Sequence, residues 1–103
     1  MLGEAEREEA ARLATAELMA RYVSGRFAAK EAVYKALRGR PDVPLGWPQI
    51  QVLADETGAP HVHLSGTAAE LSADAGISDV AISISHAAPF AFAVAAAVVA
   101  PRS

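Results

Sequence analysis

The chain has 103 residues, of which 52% are hydrophobic, and its formal net charge is −3. This length and composition predict one small globular domain rather than a disordered chain. The sequence has no cysteine, no Arg- or Lys-led apolar start and no apolar run near the about 18 residues of a membrane helix, so we predict no disulfide, signal peptide or membrane span and expect a cytoplasmic protein.

Charge is distributed unevenly along the chain. Residues 1–20 carry five Glu against two Arg, residues 21–40 carry six basic residues against one Glu, and residues 41–103 carry six acidic residues against one Arg. The basic block at 21–40 indicates contact with an anion, such as a phosphate or an acidic protein. The alternative is a solvated helix face.

Two helices are predicted at the start of the chain. Residues 3–22 are rich in good helix formers, Ser24 and Gly25 mark a break, and residues 26–38 form a second helix. At about 100° per residue, one side of the second helix carries small residues that suit packing on a sheet. The other side carries its charged and aromatic residues: Arg26, Phe27, Lys30, Glu31, Tyr34, Lys35 and Arg38.

The rest of the chain predicts four strands and one short helix. Apolar alternation and turn signals give a loop at 39–48, strands at 49–54 and 61–64, a helix at 66–75, and strands at 79–85 and 90–99. Short turns favour antiparallel pairing, so the predicted class is α+β, with two N-terminal helices followed by an antiparallel sheet and one further short helix. The last strand is apolar on both faces, and another subunit is one source of cover for it.

The segment RFAAKEAVYKAL, which starts at Arg26, combines acidic and basic residues on one helix. Glu31 and Lys35 are spaced i, i+4, and one interpretation is a pair that only supports the helix. The other is that Glu31 binds Mg²⁺, a hard cation that takes carboxylate and phosphate oxygens. Arg26, Lys30 and Lys35 would then neutralise phosphates beside it.

The segment Ser83-Ile84-Ser85-His86 lies at the end of a predicted strand. A histidine there suits a base or a phosphate ligand near pH 7. The two serines would offer hydroxyls or backbone groups to the same ligand. The alternative is that His86 is only a turn residue.

Three other patterns are less specific. His61 and His63 alternate on one strand face, which suits an exposed polar face better than a two-ligand metal site. Phe27 and Tyr34 favour core or subunit-interface packing over stacking on a base. Neither GxxxxGK[ST] nor GxGxxG is present, so ordinary nucleotide-binding loops are not predicted.

Taken together, these segments resemble the phosphopantetheinyl transferase superfamily, in its small holo-acyl-carrier-protein synthase type. RFAAKEAVYKAL is similar to the family segment around its metal-binding glutamate. Ile50–Val52 followed by Gly58–Gly66 resembles the family hairpin, and an Ala-rich helix then precedes the SxSH motif. The order and spacing of these parts match from about residue 3 to residue 99.

The resemblance implies a fold, an activity and partners. It implies a single 4′-phosphopantetheinyl transferase-like domain over residues 1–103, assembled as a homotrimer with sites between subunits. It implies Mg²⁺-dependent transfer of 4′-phosphopantetheine from coenzyme A to a serine of an apo acyl or peptidyl carrier protein, in fatty acid, polyketide or peptide synthesis. We expect no nucleic-acid and no membrane partner.

The resemblance also implies roles for the basic helix. Glu31 would be a metal ligand. Lys35, or water bound by the metal, would help to deprotonate the carrier serine. Lys30 and Arg26 would lie near phosphates.

Four more residues are implied to contact coenzyme A. His86, together with Ser85, would contact its nucleotide or its phosphates. Gly58 and Pro60 match a loop that lines the nucleotide site. These roles come from the resemblance alone.

Two departures from the family pattern affect the prediction. The family begins with a strand reading roughly Gly-hydrophobic-Asp, whose Asp is a principal Mg²⁺ ligand, and residues 1–103 contain no match to it. Ala87 stands where some relatives carry Asp. The first departure fits a shortened chain, a part supplied by another chain, or loss of ordinary activity. The alternatives to a transferase are therefore a repurposed member that binds a carrier protein or coenzyme A without transfer, and an unrelated small interaction domain.

Overall fold

Helices occupy the first third of the molecule and strands dominate the rest in this computed structural model, which describes residues 1–37, 46–87 and 89–99. The α+β class is confirmed. The elements are α1 (Glu4–Ala11), α2 (Ala16–Ala36), a 3₁₀ turn (Trp47–Gln49), β1 (Ile50–Ala54), β2 (Pro60–Leu64), α3 (Gly66–Asp74), β3 (Ile77–Ala87) and β4 (Phe90–Val99). Arg38, most of the predicted loop and Ala88 of the last turn lie outside the described residues.

The boundary between the first two helices was predicted wrongly. The chain leaves α1 after Ala11 and starts α2 at Ala16, because the Thr15 side chain accepts a hydrogen bond from the Leu18 amide at 3.1 Å and caps the new helix. α2 then continues through Ser24 and Gly25 without interruption. Gly25 is buried inside α2, so it serves a close contact rather than a break.

The strands form two antiparallel pairs. β1 pairs with β2, with Val52 opposite Val62, and β3 pairs with β4, with Ser85 opposite Phe92. β3 extends two residues beyond its prediction at each end. No helix among the described residues is long and apolar enough to cross a membrane.

The core lies between α2 and the strands. Ile50 and Val52, which alternate with polar or less buried residues along β1, are fully buried. The core cluster is formed by Val33, Leu37, Ile50, Ala68 and Val80. Lys30, which the helical periodicity places on the charged side of its helix, is fully buried, because it packs against Glu6 of α1 and the backbone of Trp47 and Ile50.

β4 is apolar on both faces, as predicted, and only one face is covered. α2 packs on the β3–β4 pair from one side. On the other side Phe90, Phe92 and Val94 are 65%, 56% and 71% exposed. We call this side the outer face; in β3 it carries the exposed residues Ser83 and Ser85.

Candidate active site

α2 carries the charged motif that the sequence analysis singled out. Glu31 is half-buried and Lys35 is exposed. No ion pair joins these two side chains in the structure, although their i, i+4 spacing would permit one. The carboxylate of Glu31 therefore does not require Lys35 as its partner.

His86 brings the end of β3 against the first half of α2. Its Nε2 lies 3.1 Å from the backbone carbonyl oxygen of Arg21. A carbonyl oxygen only accepts, so Nε2 carries the proton and Nδ1 is left as the second ring nitrogen. A Cβ built on Gly25 would lie only 2.8 Å from Nε2, so a glycine at this position permits the contact.

The two serines of the SISH segment do not share a face with its histidine. Successive side chains of a strand point to opposite faces. Ser83 and Ser85 are exposed on the outer face, whereas His86 is half-buried against α2. One ligand bound to a single chain would therefore not reach both side chains of Ser85 and His86 from the same face.

A cleft of about 410 Å³ opens beside His86. It lies where the first turns of α2 meet the β3–β4 turn. Its lining is mixed, with acidic, basic, hydroxyl and aromatic side chains. The lining residues are Glu17, Ala20, Arg21, Ser24, His86, Pro89 and Phe90.

Arg26 is held inside the protein by directed contacts. Its Nε donates to the Val52 carbonyl oxygen at 2.9 Å, and its Nη2 donates to Glu9 Oε1 at 2.8 Å. The guanidinium carbon also lies 4.3 Å from the centre of the Tyr22 ring, a cation–π distance. Arg26 thus connects α2 to α1 and β1.

Lys30 is buried among oxygen acceptors. Its Nζ donates to Glu6 Oε1 at 2.7 Å, to the Trp47 carbonyl oxygen at 3.0 Å and to the Ile50 carbonyl oxygen. Burial lowers the pKa of the Lys30 ammonium, and the carboxylate of Glu6 opposes that effect. The structure therefore places Lys30 in an internal network rather than on an open phosphate site.

Gly58 and Pro60 lie in the β1–β2 hairpin. Gly58 has a φ of +88°, which favours glycine, and Pro60 begins β2 opposite Ala54. Asp55 organises the turn by accepting hydrogen bonds from Thr57 and from the Ala59 amide. The turn is therefore well defined without a ligand.

The paired histidines form an exposed polar face, the interpretation that the sequence favoured. Both side chains are exposed, and His61 Nε2 lies 2.7 Å from Asp55 Oδ2. Hydrogen bonds from the Thr57 hydroxyl and from His61 hold the pKa of Asp55 well below its usual range. Within residues 1–37, 46–87 and 89–99, no group of three or more acidic or histidine side chains is arranged to hold a metal.

Two of the three aromatic residues of α2, Phe27 and Tyr34, pack on Trp47. The ring centres of Phe27 and Tyr34 each lie 6.1 Å from that of Trp47. Tyr34 also packs against the core cluster, whereas Phe27 is 46% exposed. Packing, rather than an open stacking surface, accounts for these side chains.

Glu6 and Glu9 were missed by the sequence analysis. Both lie on α1 and accept from basic residues of α2, Glu6 from Lys30 and Glu9 from Arg26. One local signal was available, because Glu6 is the third residue after the cap Gly3, and its carboxylate accepts from the Gly3 amide at 3.0 Å. Nothing in the local sequence indicates that Glu6 pairs with Lys30 or that Glu9 pairs with Arg26.

The fit to Mg²⁺ depends on Glu31. Mg²⁺ keeps several waters and is commonly bound through one or two carboxylates together with substrate phosphates. Glu31 is a half-buried carboxylate on a helix, which suits one of these positions. Glu31 would therefore be one ligand of the metal, and the other ligands would have to come from elsewhere.

Comparison with known proteins identifies the family. Residues 1–95 match the family model described as the 4′-phosphopantetheinyl transferase superfamily. The chain therefore belongs to the 4′-phosphopantetheinyl transferase superfamily. This finding confirms the resemblance drawn from the RFAAKEA and SISH segments.

Within this superfamily, the chain is similar to holo-[acyl-carrier-protein] synthases. It is 39% identical to that of Caldanaerobacter subterraneus over 77 residues, covering 75% of this chain and 60% of the relative. It is 40% identical to that of Clavibacter michiganensis over 76 residues, covering 74% of this chain and 62% of the relative. The match thus spans about three fifths of the length of these curated relatives.

Solved structures agree with this assignment. The Plasmodium yoelii holo-ACP-synthase superimposes with a TM-score of 0.83 at 34% identity, covering 98% of this chain and 76% of that chain. The Helicobacter pylori holo-[acyl-carrier-protein] synthase, solved in complex with coenzyme A, gives 0.72 at 28% identity over 94% and 76% of the two chains. The fold of this chain is therefore that of a holo-acyl-carrier-protein synthase.

Proposed function

We propose that this protein is a holo-acyl-carrier-protein synthase that transfers 4′-phosphopantetheine from coenzyme A to a serine of an apo acyl or peptidyl carrier protein. The family match over residues 1–95, with the Glu31 motif on α2 and the SISH strand packed against the same helix, carries this proposal. We place it in the cytoplasm, as one domain over residues 1–103, acting in fatty acid, polyketide or peptide synthesis. Neither nucleic acid nor a membrane is among its proposed partners.

In the proposed reaction, the serine oxygen bonds to the pantetheine-side phosphorus and the phosphoanhydride bond breaks, releasing adenosine 3′,5′-bisphosphate. Lys35, exposed one turn beyond Glu31, would take the serine proton. Glu31 holds Mg²⁺, which supplies charge stabilisation to the pyrophosphate when it is bound. Lys30 and Arg26 act behind this site, since both cations have internal acceptors.

Coenzyme A is proposed to lie between α2 and the strand ends. His86 offers Nδ1 toward the cleft after Nε2 is used on Arg21. Ser85 faces the other way, so we propose that it meets a ligand or residue of a neighbouring subunit. Gly58 and Pro60 supply the hairpin wall of the nucleotide site.

We propose a homotrimer because the outer face is large, apolar and uncovered in one chain. Phe90, Phe92, Val94 and Val98 form it, and each is at least 48% exposed. Contiguous apolar surface of this kind marks an interaction site. Light scattering after gel filtration tests this: a trimer mass supports the proposal, and Phe92→Asp should lower that mass, whereas a monomer at all concentrations would contradict it.

Mass spectrometry of a carrier protein tests the reaction. The protein, apo carrier, coenzyme A and Mg²⁺ are incubated, and the carrier should gain the mass of phosphopantetheine. Glu31→Gln should lose most of that gain. A relative such as the Helicobacter pylori enzyme is the positive control, and no gain beside a working control would refute transfer.

The second candidate is a repurposed member that binds coenzyme A or a carrier protein without transfer. One observation favours it: in the part of the chain that the structure describes, no acidic cluster joins Glu31 to form a metal centre. This candidate predicts coenzyme A binding that is unchanged by EDTA. Titration calorimetry with and without Mg²⁺ separates it from the transferase.

A further inference from the structure

Glu6 of α1 forms a buried ion pair with Lys30 of α2, the helix that carries Glu31, and the proposed reaction makes no direct use of this pair. The Lys30 Nζ lies 2.7 Å from Glu6 Oε1, and both side chains are fully buried. The other two acceptors of Nζ are the carbonyl oxygens of Trp47 and Ile50. A lysine ammonium has three donors, so none remains for a phosphate while this network is intact.

The carboxylate of Glu6 is equally engaged. Its Oε1 accepts from the Gly3 amide at 3.0 Å, and its Oε2 accepts from the Val52 amide at 2.9 Å. The Tyr22 hydroxyl closes the network by donating to the Glu6 carbonyl oxygen at 3.1 Å. The pair therefore joins the start of α1, the middle of α2 and the β1 segment.

The other buried residues of α2 are apolar. They are Gly25, Ala29 and Val33, and none has a polar side-chain group that points in a fixed direction. Tyr22 and Arg26, which are only partly buried, make the further directed contacts of α2 with α1 and β1. A buried polar pair has acceptors in fixed directions, and setting register is its best-attested use.

We infer that Glu6 and Lys30 are positioning residues that fix the rotation of α2 and so aim the carboxylate of Glu31. Consecutive helix residues lie about 100° apart around the axis, so anchoring Lys30 sets the direction of Glu31. The importance of that direction for catalysis rests on the proposed function. The direction itself does not, and it is measurable separately.

The first experiment reads the direction of residue 31. The chain has no cysteine, so Glu31→Cys provides a unique thiol. Its rate of reaction with a charged thiol reagent is compared in the parent chain and in the variant Glu6→Leu with Lys30→Met. This apolar pair is expected to fold, since such replacements are often neutral or stabilising.

Two controls and one reserve variant accompany that comparison. Glu17→Cys, at an exposed position in the first turn of α2, reports general loosening of the helix. His61→Gln removes an exposed contact of the same length, to Asp55, and should leave the Glu31→Cys rate unchanged. Glu6→Gln, which keeps the shape and an acceptor oxygen, is used as the second variant if the apolar pair does not fold.

A changed rate at residue 31, with an unchanged rate at residue 17, supports the inference. An unchanged rate at residue 31 in a folded variant overturns it, whatever the transfer assay shows. The near-ultraviolet circular dichroism of Trp47, the one tryptophan, should change together with the thiol rate, because its carbonyl oxygen binds Lys30.

The second experiment uses Mn²⁺ with coenzyme A and electron paramagnetic resonance. In the chain with the intact pair, Glu31→Gln should weaken Mn²⁺ binding, whereas in the apolar-pair variant the same change should have little further effect. The apolar pair alone should weaken Mn²⁺ binding about tenfold, as is typical when the support of a ligand is removed. An equal Glu31→Gln effect on both backgrounds overturns the inference. A parent chain that binds no Mn²⁺ but shows the changed thiol rate refutes the proposed function and leaves the positioning role supported.

Discussion

Two contacts between a basic and an acidic side chain of this protein have the same length and opposite surroundings. Lys30 and Glu6 lie 2.7 Å apart with both side chains fully buried, whereas His61 and Asp55 lie 2.7 Å apart with side chains 57% and 37% exposed. The first pair joins three segments through directed contacts, and the second stabilises a single turn. Distance alone therefore says little about what an ion pair contributes, because desolvation and shared partners decide it.

Breaking the buried pair on one side should have the largest effect. Lys30→Met leaves the Glu6 carboxylate buried without its cation, and we expect a loss of about 3–5 kcal/mol in the free energy of unfolding. Urea unfolding followed by Trp47 fluorescence measures it. The matched double change with Glu6→Leu should recover most of that loss, and no recovery would show that apolar volume rather than charge was at issue.

The close contact between Gly25 of α2 and His86 should contribute less to stability than the buried ion pair. Gly25→Ala would place a Cβ 2.8 Å from Nε2 of His86, and overpacking of this kind costs about 1–3 kcal/mol. The better helix propensity of alanine offsets only part of this cost. Thermal unfolding checks the sign: a stabilised Gly25→Ala variant would mean that His86 moves away freely.

Tyr22, which borders the buried pair of Glu6 and Lys30, should ionise late in an alkaline titration. Burial raises the pKa of Tyr22 to about 12 from 10.0. A raised folded-state pKa contributes stability that is present below the unfolded value and is lost as the pH rises through about 12. Absorbance at alkaline pH should therefore show one late tyrosine that disappears in Tyr22→Phe and persists in Tyr34→Phe, whose single remaining tyrosine is Tyr22.

The exposed contact between His61 and Asp55 should have the smallest effect on stability, and this effect should change only at acid pH. The pKa of Asp55 is held below its usual range, chiefly by the Thr57 hydroxyl and then by His61. The resulting stability is present above the unfolded pKa of about 3.9 and is lost as the pH falls through the folded one. The melting temperature of Asp55→Asn should therefore lie below that of the parent chain at pH 6. The two melting temperatures should become equal in strong acid, in a series recorded from pH 6 to pH 2. His61→Gln should change the unfolding midpoint least, and high salt should remove what change there is.

The fold class and the strands could be predicted because they rest on local patterns. Alternation placed β1, β2 and β4 within a residue or two, and the turn signals placed α3. The α1–α2 boundary failed because Ser24 and Gly25 have the composition of a break, while the cap that ends the gap is a single threonine, Thr15. A buried glycine required by a distant histidine looks the same in sequence as a helix breaker.

The site was predictable only as far as the family motif reaches. The positions of Glu31 and Lys35 on one helix followed from spacing, as did an exposed face for His61 and His63. The burial of Lys30 could not be predicted, because it depends on an acceptor 24 positions earlier in a helix that reads as ordinary surface. The catalytic roles of Glu31 and Lys35 stay predictions until they are measured.

The outer face of the β3–β4 pair makes the turnover per chain depend on the protein concentration, if the chains assemble through it. Aromatic and branched side chains cover β4 there, while β3 offers the small residues Ser83 and Ser85 beside Val94 and Phe92. If copies of the chain associate through this surface in solution, the fraction of assembled molecules rises with the protein concentration. Turnover per chain would then increase on concentration and fall on dilution, so assays run at low nanomolar levels would understate what the same molecules do in a crowded cell.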